Sequence, residues 1–165
     1  MALTVTQVGL NKAVQASQGG ISLQITHVGL GTQGYVPNKN MTALKNEVAR
    51  VLIAGGENVA SDQVHLTALF DGDEEITAYE IGFYLSDGTL FAVDSDPDNV
   101  LVYKHSTAKV VEAFDLILDA VPPDSITVNT SGDLSLYYAE SFAVMAVAQI
   151  NNMRRSITSF ISNAL

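Results

Sequence analysis

The sequence predicts an α+β fold: a mainly antiparallel sheet, a short N-terminal helix and a long C-terminal helix. Three observations carry this. Short alternating or β-branched runs recur at spacings near ten residues, with turn residues between them. Helical pattern is confined to the two ends of the chain. From Leu136 onward there is neither Pro nor Gly, so one helix can run nearly to Leu165. A chain of 165 residues is one ordinary domain, or a domain plus a short extension. The boundaries read as 1–133 for the α+β domain and 134–165 for a C-terminal oligomerisation helix.

The first element is a helix over Thr6 to Ser17, with Val8, Leu10 and Val14 on it and Gly19-Gly20 to stop it. Ile21 to Val28 alternates apolar and polar residues, the pattern of a half-buried strand. Gly29 to Gly34, continued by Pro37 and Asn38, reads as a flexible loop. Thr42 to Asn46 has the composition of one helical turn. Glu47 to Ile53 is a strand, and Gly55-Gly56-Glu57-Asn58 a turn. Val64, Leu66, Ala68 and Phe70 mark one face of the next strand, and Asp71 to Glu75 form a charged loop.

The hairpin over Ile76 to Val93 is the strongest local signal. Its arms, Tyr79 to Leu85 and Thr89 to Val93, are rich in aromatic and β-branched residues. Asp87-Gly88 between them reads as a two-residue type I′ turn, which needs φ > 0 at both positions. The acidic loop Asp94 to Asn99 follows, then strands at Val100 to Tyr103 and Lys109 to Leu118. Pro122 to Ser125 is a turn before a short strand at Ile126 to Val128.

The C-terminal helix carries a heptad pattern. Leu136, Ala139, Ala143, Ala146, Ile150, Met153, Ile157, Phe160 and Ala164 are spaced alternately by three and four residues. That is an a/d register held for about four heptads. Ala143, Ala146, Ile150, Met153, Ile157 and Phe160 are the candidate oligomer interface. Ala buries little area, so the Ile150–Phe160 half carries most of the seam. Phe142, Val144, Met145 and Val147 broaden the stripe. Two readings stand: a helix packed on its own domain, or a short coiled coil joining identical chains. The seam residues leave the number of strands open.

Composition excludes several classes of function. Eighteen acidic residues against eight basic ones give a net charge of −10. Nucleic acid needs a basic face to displace its counterions, and an anionic membrane repels such a chain. No apolar run is long enough for a transmembrane helix, and the N-terminus lacks the pattern of a signal peptide. There is no cysteine, so disulfide and thiolate chemistry are absent. His27, His65 and His105 lack a second ligand at metal-binding spacing. Gly29, Gly31 and Gly34 spell G-x-G-x-x-G, but no helix opens on the loop, so it is not read as a dinucleotide site. Asp94, Asp96 and Asp98 sit at calcium-loop positions, but Asn99 replaces the glycine and His105 the bidentate Glu. No nucleophile–base order suggests an enzyme. No catalytic residue, metal or cofactor is expected.

The hairpin phrase YEIGFYLSDGTLFAV (Tyr79 to Val93) resembles "EIGLYDDDGTLIAV" in the N-terminal domain of phage tail-collar fibre proteins. YVPNKNMTALKNEVAR (Tyr35 to Arg50) is similar to that family's Pro and "TxLxNEvxR" after a Gly-rich loop. GLNKAVQA (Gly9 to Ala16) resembles its "aGlakla" start. These phrases stand in the family order and cover roughly residues 5–130. Residues Glu75 to Glu80 replace the family's "GGFWxRE" without its Trp or its Gly pair.

The resemblance implies a structural virion protein that attaches tail fibres to the baseplate of a contractile-tailed phage. It implies a homotrimer, and hence a trimeric coiled coil for the seam. The implied partners are the chain itself, baseplate proteins and a distal tail-fibre chain. The implied location is the virion, after synthesis in the host bacterial cytoplasm. The family's long shaft and receptor-binding tip have no counterpart before Leu165. The competing function is a carbohydrate-binding, receptor-recognition module, for which Tyr103, Tyr137 and Tyr138 are available. With 7% aromatic residues and no Trp, they make a poor sugar platform.

Overall fold

In the computed structural model of the chain, the structure describes residues 3–118 and 121–128, together with Val147, Gln149, Ile150 and Met153. The chain divides into two compact units, 1–132 and 133–165. Ten strands and one helix are formed by the described residues of the first unit. They are β1 (Thr4–Val5), α1 (Gln7–Gln18), β2 (Leu23–Gly31), β3 (Glu47–Ala60), β4 (Gln63–Phe70), β5 (Ile76–Ala78), β6 (Glu80–Leu85), β7 (Leu90–Ser95), β8 (Val102–Lys104), β9 (Val110–Ile117) and β10 (Ile126–Val128).

The main sheet has the order β1-β7-β6-β2-β3-β4-β9, and its neighbours on this path are antiparallel. Strand β10 runs parallel to the first residues of β2. Strands β5 and β8 pair separately. The long strand β3 belongs to two regions: Glu47 to Leu52 pairs with β2, and Ile53 to Ala60 with β4. The sheet folds over at this strand. Phe83 on β6 meets Phe114 on β9 edge to face, with centroids 5.4 Å apart and planes at 80°. Four strand spacings in a flat sheet would hold β6 and β9 about 19 Å apart. Their contact therefore requires two layers facing each other across one core. Ile25, Val28, Leu30, Ile53, Leu66 and Ile81 fill it without solvent exposure.

Helix α1 is capped at both ends. The Thr6 hydroxyl accepts the Gly9 amide at 3.0 Å and donates to the Leu90 carbonyl at 2.7 Å. At the other end, the Ile21 amide donates to Ala16 and the Gly20 amide to Ser17. This is a Schellman closure, with Gly20 left-handed at φ 67°. Gly9 lets the helix lie on β7, since a Cβ there would fall 2.6 Å from the Phe91 carbonyl oxygen.

Several expectations need correction. The described fold is mostly sheet, and α1 is the helix element among the described residues. The long C-terminal helix and its trimeric coiled coil are not present among them. Ile150 and Met153 are helical in backbone but 54% and 62% exposed. Exposure of this size in a single chain is common to a side chain that faces solvent and to one that packs only against a partner chain. Ala143, Ala146, Ile157 and Phe160 lie outside the described residues.

The turn expected at Gly55 to Asn58 is strand: β3 runs on to Ala60 with a register shift between Ile53 and Gly55. The glycines there serve close packing, since a Cβ on Gly56 would lie 2.6 Å from Val128 Cγ1. The 76–93 hairpin is divided, because β5 pairs with β8 and only β6 pairs with β7. Its turn is not type I′. Of its residues only Gly88 has positive φ, at 82°. The Gly88 amide donates to Leu85 and the Leu85 amide to Thr89. That is a three-residue loop ending in a left-handed glycine, a G1-type bulge.

Candidate functional site

Strands β6 and β7 are buried along their whole length. One face lies on the main core. The other carries Tyr84, Leu90 and Val93, covered by Leu44 from the segment 32–46. This segment joins β2 to β3 without helix or strand, and its conformation is set by one carboxylate. Glu80, fully buried at the start of β6, accepts from the Tyr35 hydroxyl at 2.6 Å, the Lys45 amide at 2.8 Å and the Asn46 amide at 2.7 Å. Charge-assisted bonds of this number compensate the desolvation of a buried carboxylate. They also explain why Thr42 to Asn46 forms no helical turn: its last amides point at Glu80 instead of up a helix.

Burial, the Glu80 hydrogen bond and the Glu80 charge together push the Tyr35 hydroxyl far above the ordinary tyrosine range. The Tyr35 amide donates to Ser95 Oγ at 3.1 Å, and the Gln7 amide to the Lys39 carbonyl at 2.7 Å. Asn38 closes an Asx turn by accepting the Asn40 amide at 3.0 Å. The segment is thus tied to β6, β7 and α1.

A second carboxylate organises the neighbouring edge. Arg50 Nε and Nη2 donate to Glu47 at 2.6 and 2.8 Å, and the Tyr84 hydroxyl also donates to Glu47. The Arg50 guanidinium stacks over the Tyr84 ring, 3.6 Å from its centroid. Burial alone would raise the Glu47 pKa, but the Arg50 and Tyr84 hydrogen bonds and the Arg50 charge leave it below the usual range. Burial first, then the bond to Glu47, pushes the Tyr84 hydroxyl up. On the hairpin side, Lys12 of α1 pairs with Asp87 and donates to Thr89 Oγ1 at 2.7 Å.

The glycines of Gly29 to Gly34 serve this packing. Gly29 and Gly31 lie on β2, beyond the strand end expected at Val28. A Cβ on Gly29 would lie 3.0 Å from the Tyr84 ring, and one on Gly31 would lie 2.6 Å from Cδ of Glu80. Gly34 packs against the Asp96 carbonyl.

The acidic loops are closed by their own hydrogen bonds. Asp96 accepts the amides of Asp98 and Asn99. Lys104, 1% exposed, donates to the carbonyls of Gly72, Glu74 and His105, so its ammonium shapes the 71–75 loop. Beside it opens a cleft of about 450 Å³ with Phe70, Ile76 and Val51 on its wall. His65 bonds Asp115 at 2.8 Å on the outer sheet face. Among the described residues, no cluster of His, Asp and Glu is arranged to hold a metal ion, and no helix is long and apolar enough to cross a membrane. Tyr103 is the only exposed aromatic among them, bonded to Glu75 at 2.8 Å. Tyr137 and Tyr138 lie outside them.

Sequence reasoning did not find the roles of Glu80, Tyr35, Glu47 and Tyr84. The available signal was a charged residue, Glu80, opening an otherwise apolar strand.

The family described as phage tail-collar fibre protein, N-terminal, matches residues 1–119. No curated protein and no solved structure matches the chain.

Proposed function

Since the chain belongs to the phage tail-collar fibre protein N-terminal family, we propose that it joins a tail fibre to the baseplate of a contractile-tailed phage. The family makes it a structural component of the virion's tail fibre. The finer reading is an adaptor or short fibre of three identical chains, made in the host bacterial cytoplasm. It sits between baseplate proteins and a distal fibre chain, and it acts by binding.

One observation carries this reading. The family match spans α1 through β9. Within that span the three phrases of the family pattern are bonded side by side: Lys12 to Asp87, and Tyr35, Lys45 and Asn46 to Glu80. These bonds support a reading in which the matched region is a bonded platform that acts by binding.

The test is to locate the chain on intact virions by antibody labelling and electron microscopy. Label at the baseplate supports attachment. Label at fibre tips favours the carbohydrate-recognition reading. Absence from the tail refutes both. Light scattering on the purified chain reads the assembly state: three times the 17.6 kDa chain mass is expected, and a stable monomer would remove the trimer from the proposal.

A further inference from the structure

The segment 32–46 combines three properties. First, it is rigid. Its own Tyr35 and Leu44 are buried, 7% and 8% exposed, and Glu80, Ser95 and the Gln7 amide hold its backbone. Second, it lifts an apolar side chain into solvent. Val36 is 79% exposed, the most exposed large apolar residue among those described, and Pro37 follows it. Third, its charge opposes that of the chain. Segment 32–46 has no Asp or Glu and two lysines, in a chain of net charge −10.

The basic residues of the first fifty positions sharpen this last point. They are Lys12, Lys39, Lys45 and Arg50, against the single acidic residue Glu47. Asp87 neutralises Lys12, and Glu47 neutralises Arg50. Lys39 and Lys45 are exposed, and neither has a carboxylate partner among the described residues. Lys45 rests over the Tyr35 ring, 4.1 Å from its centroid, which fixes where its charge stands.

We propose that segment 32–46 is a docking surface for an acidic face of a partner protein of the tail, with Val36 as its apolar anchor and Lys39 and Lys45 as its charges. The proposal rests on the attachment reading above and adds the face and the chemistry of the partner. The remainder of the chain repels an acidic partner, so long-range forces turn this segment towards it. A segment already held in one conformation loses little entropy when it binds. Val36 with Pro37 supplies the desolvated centre and the lysines the charged rim. A nucleic acid is the poorer occupant, because two phosphate contacts release too few counterions to overcome the field of a strongly acidic protein.

The test measures binding of the purified chain to tails from a fibre-less mutant of the phage that encodes it. The variants are Val36→Asp, Lys39→Glu and Lys45→Glu. Lys109→Glu makes the same charge change outside the segment. Circular dichroism verifies that each variant is folded. The expected result is at least a tenfold loss of affinity for the three segment variants, an affinity for Lys109→Glu within twofold of the parent, and weaker parent binding as salt rises. Parent and segment variants binding equally would overturn the proposal and leave attachment standing. Failure of the parent chain itself to bind would overturn the attachment reading as well.

Discussion

Gly31 and Glu80 are register partners across the β2–β6 pair. A Cβ on Gly31 would fall 2.6 Å from the Glu80 Cδ. The glycine is therefore the space in which the carboxylate stands. Gly31→Ala is expected to cost about 1–3 kcal/mol, the usual range for overpacking. Gly72→Ala, with no atom within 4 Å of its Cβ, is expected to stay within about 0.5 kcal/mol of the parent. Urea unfolding of the two variants measures the difference.

Glu80→Ala leaves the Tyr35 hydroxyl and the Lys45 and Asn46 amides without their acceptor. Each buried donor left unmet costs about 1–3 kcal/mol. A destabilisation of at least about 3 kcal/mol is expected, with Glu80→Gln between it and the parent. Hydrogen exchange at Lys45 and Asn46 is the specific readout. Both amides are expected to exchange faster in Glu80→Ala, while the β4–β9 ladder keeps its protection.

Acid weakens the hairpin clamp in a defined window. The Lys12 hydrogen bond first, then bonds from Thr89, holds the Asp87 carboxyl down to about 2. The folded value lies below that of an unfolded aspartate, about 3.9. The stabilisation is therefore present above about pH 4 and is lost as pH falls towards 2. Asp87 is half exposed, so solvent screening limits the effect to under about 1 kcal/mol. Thermal melts of the parent and Lys12→Met between pH 5 and 2 are expected to converge as the pH falls.

Alkali tests the two buried hydroxyls. Burial first, then hydrogen bonds to Glu80 and Glu47, raises the Tyr35 and Tyr84 values above those of unfolded tyrosine. Their contribution is complete below about pH 10 and is lost as the pH rises beyond it. In an ultraviolet titration, these two tyrosines are expected to stay protonated until the fold opens. Tyr35→Phe and Tyr84→Phe should each remove one group from that late step.

The two-layer packing rests on Phe83 and Phe114. Either residue changed to Ala is expected to cost about 3–5 kcal/mol. A double-mutant cycle should give a coupling of about 0.5–1.5 kcal/mol, the value of an edge-to-face pair. Coupling near zero would mean that the layers are not in contact at these rings.

Much of the sheet was legible because its strands alternate. Val64 to Phe70 was readable from one-face periodicity, and β4 spans Gln63 to Phe70. The Gly19-Gly20 stop was readable because a left-handed cap needs glycine at Gly20. Gly55-Gly56 misled because a local turn signal was overruled by Val128 and Thr67 packing on those residues. Asp87-Gly88 misled because the loop includes Ser86, and only Gly88 takes positive φ. The platform itself was hidden. Glu80 meets its donors 34, 35 and 45 residues away in sequence, and no local pattern reports such a distance.

That separation has a consequence for biosynthesis. Tyr35, Lys45 and Asn46 leave the ribosome well before the side chain that holds them. Segment 32–46 has no acceptor for those groups until β6 has been made and has paired correctly with β2. A nascent, truncated or slipped chain therefore displays it slack, and only a completed chain displays it firm. The conformation of this surface segment is thus tied to the correct pairing of β2 with a strand that lies far from it in sequence.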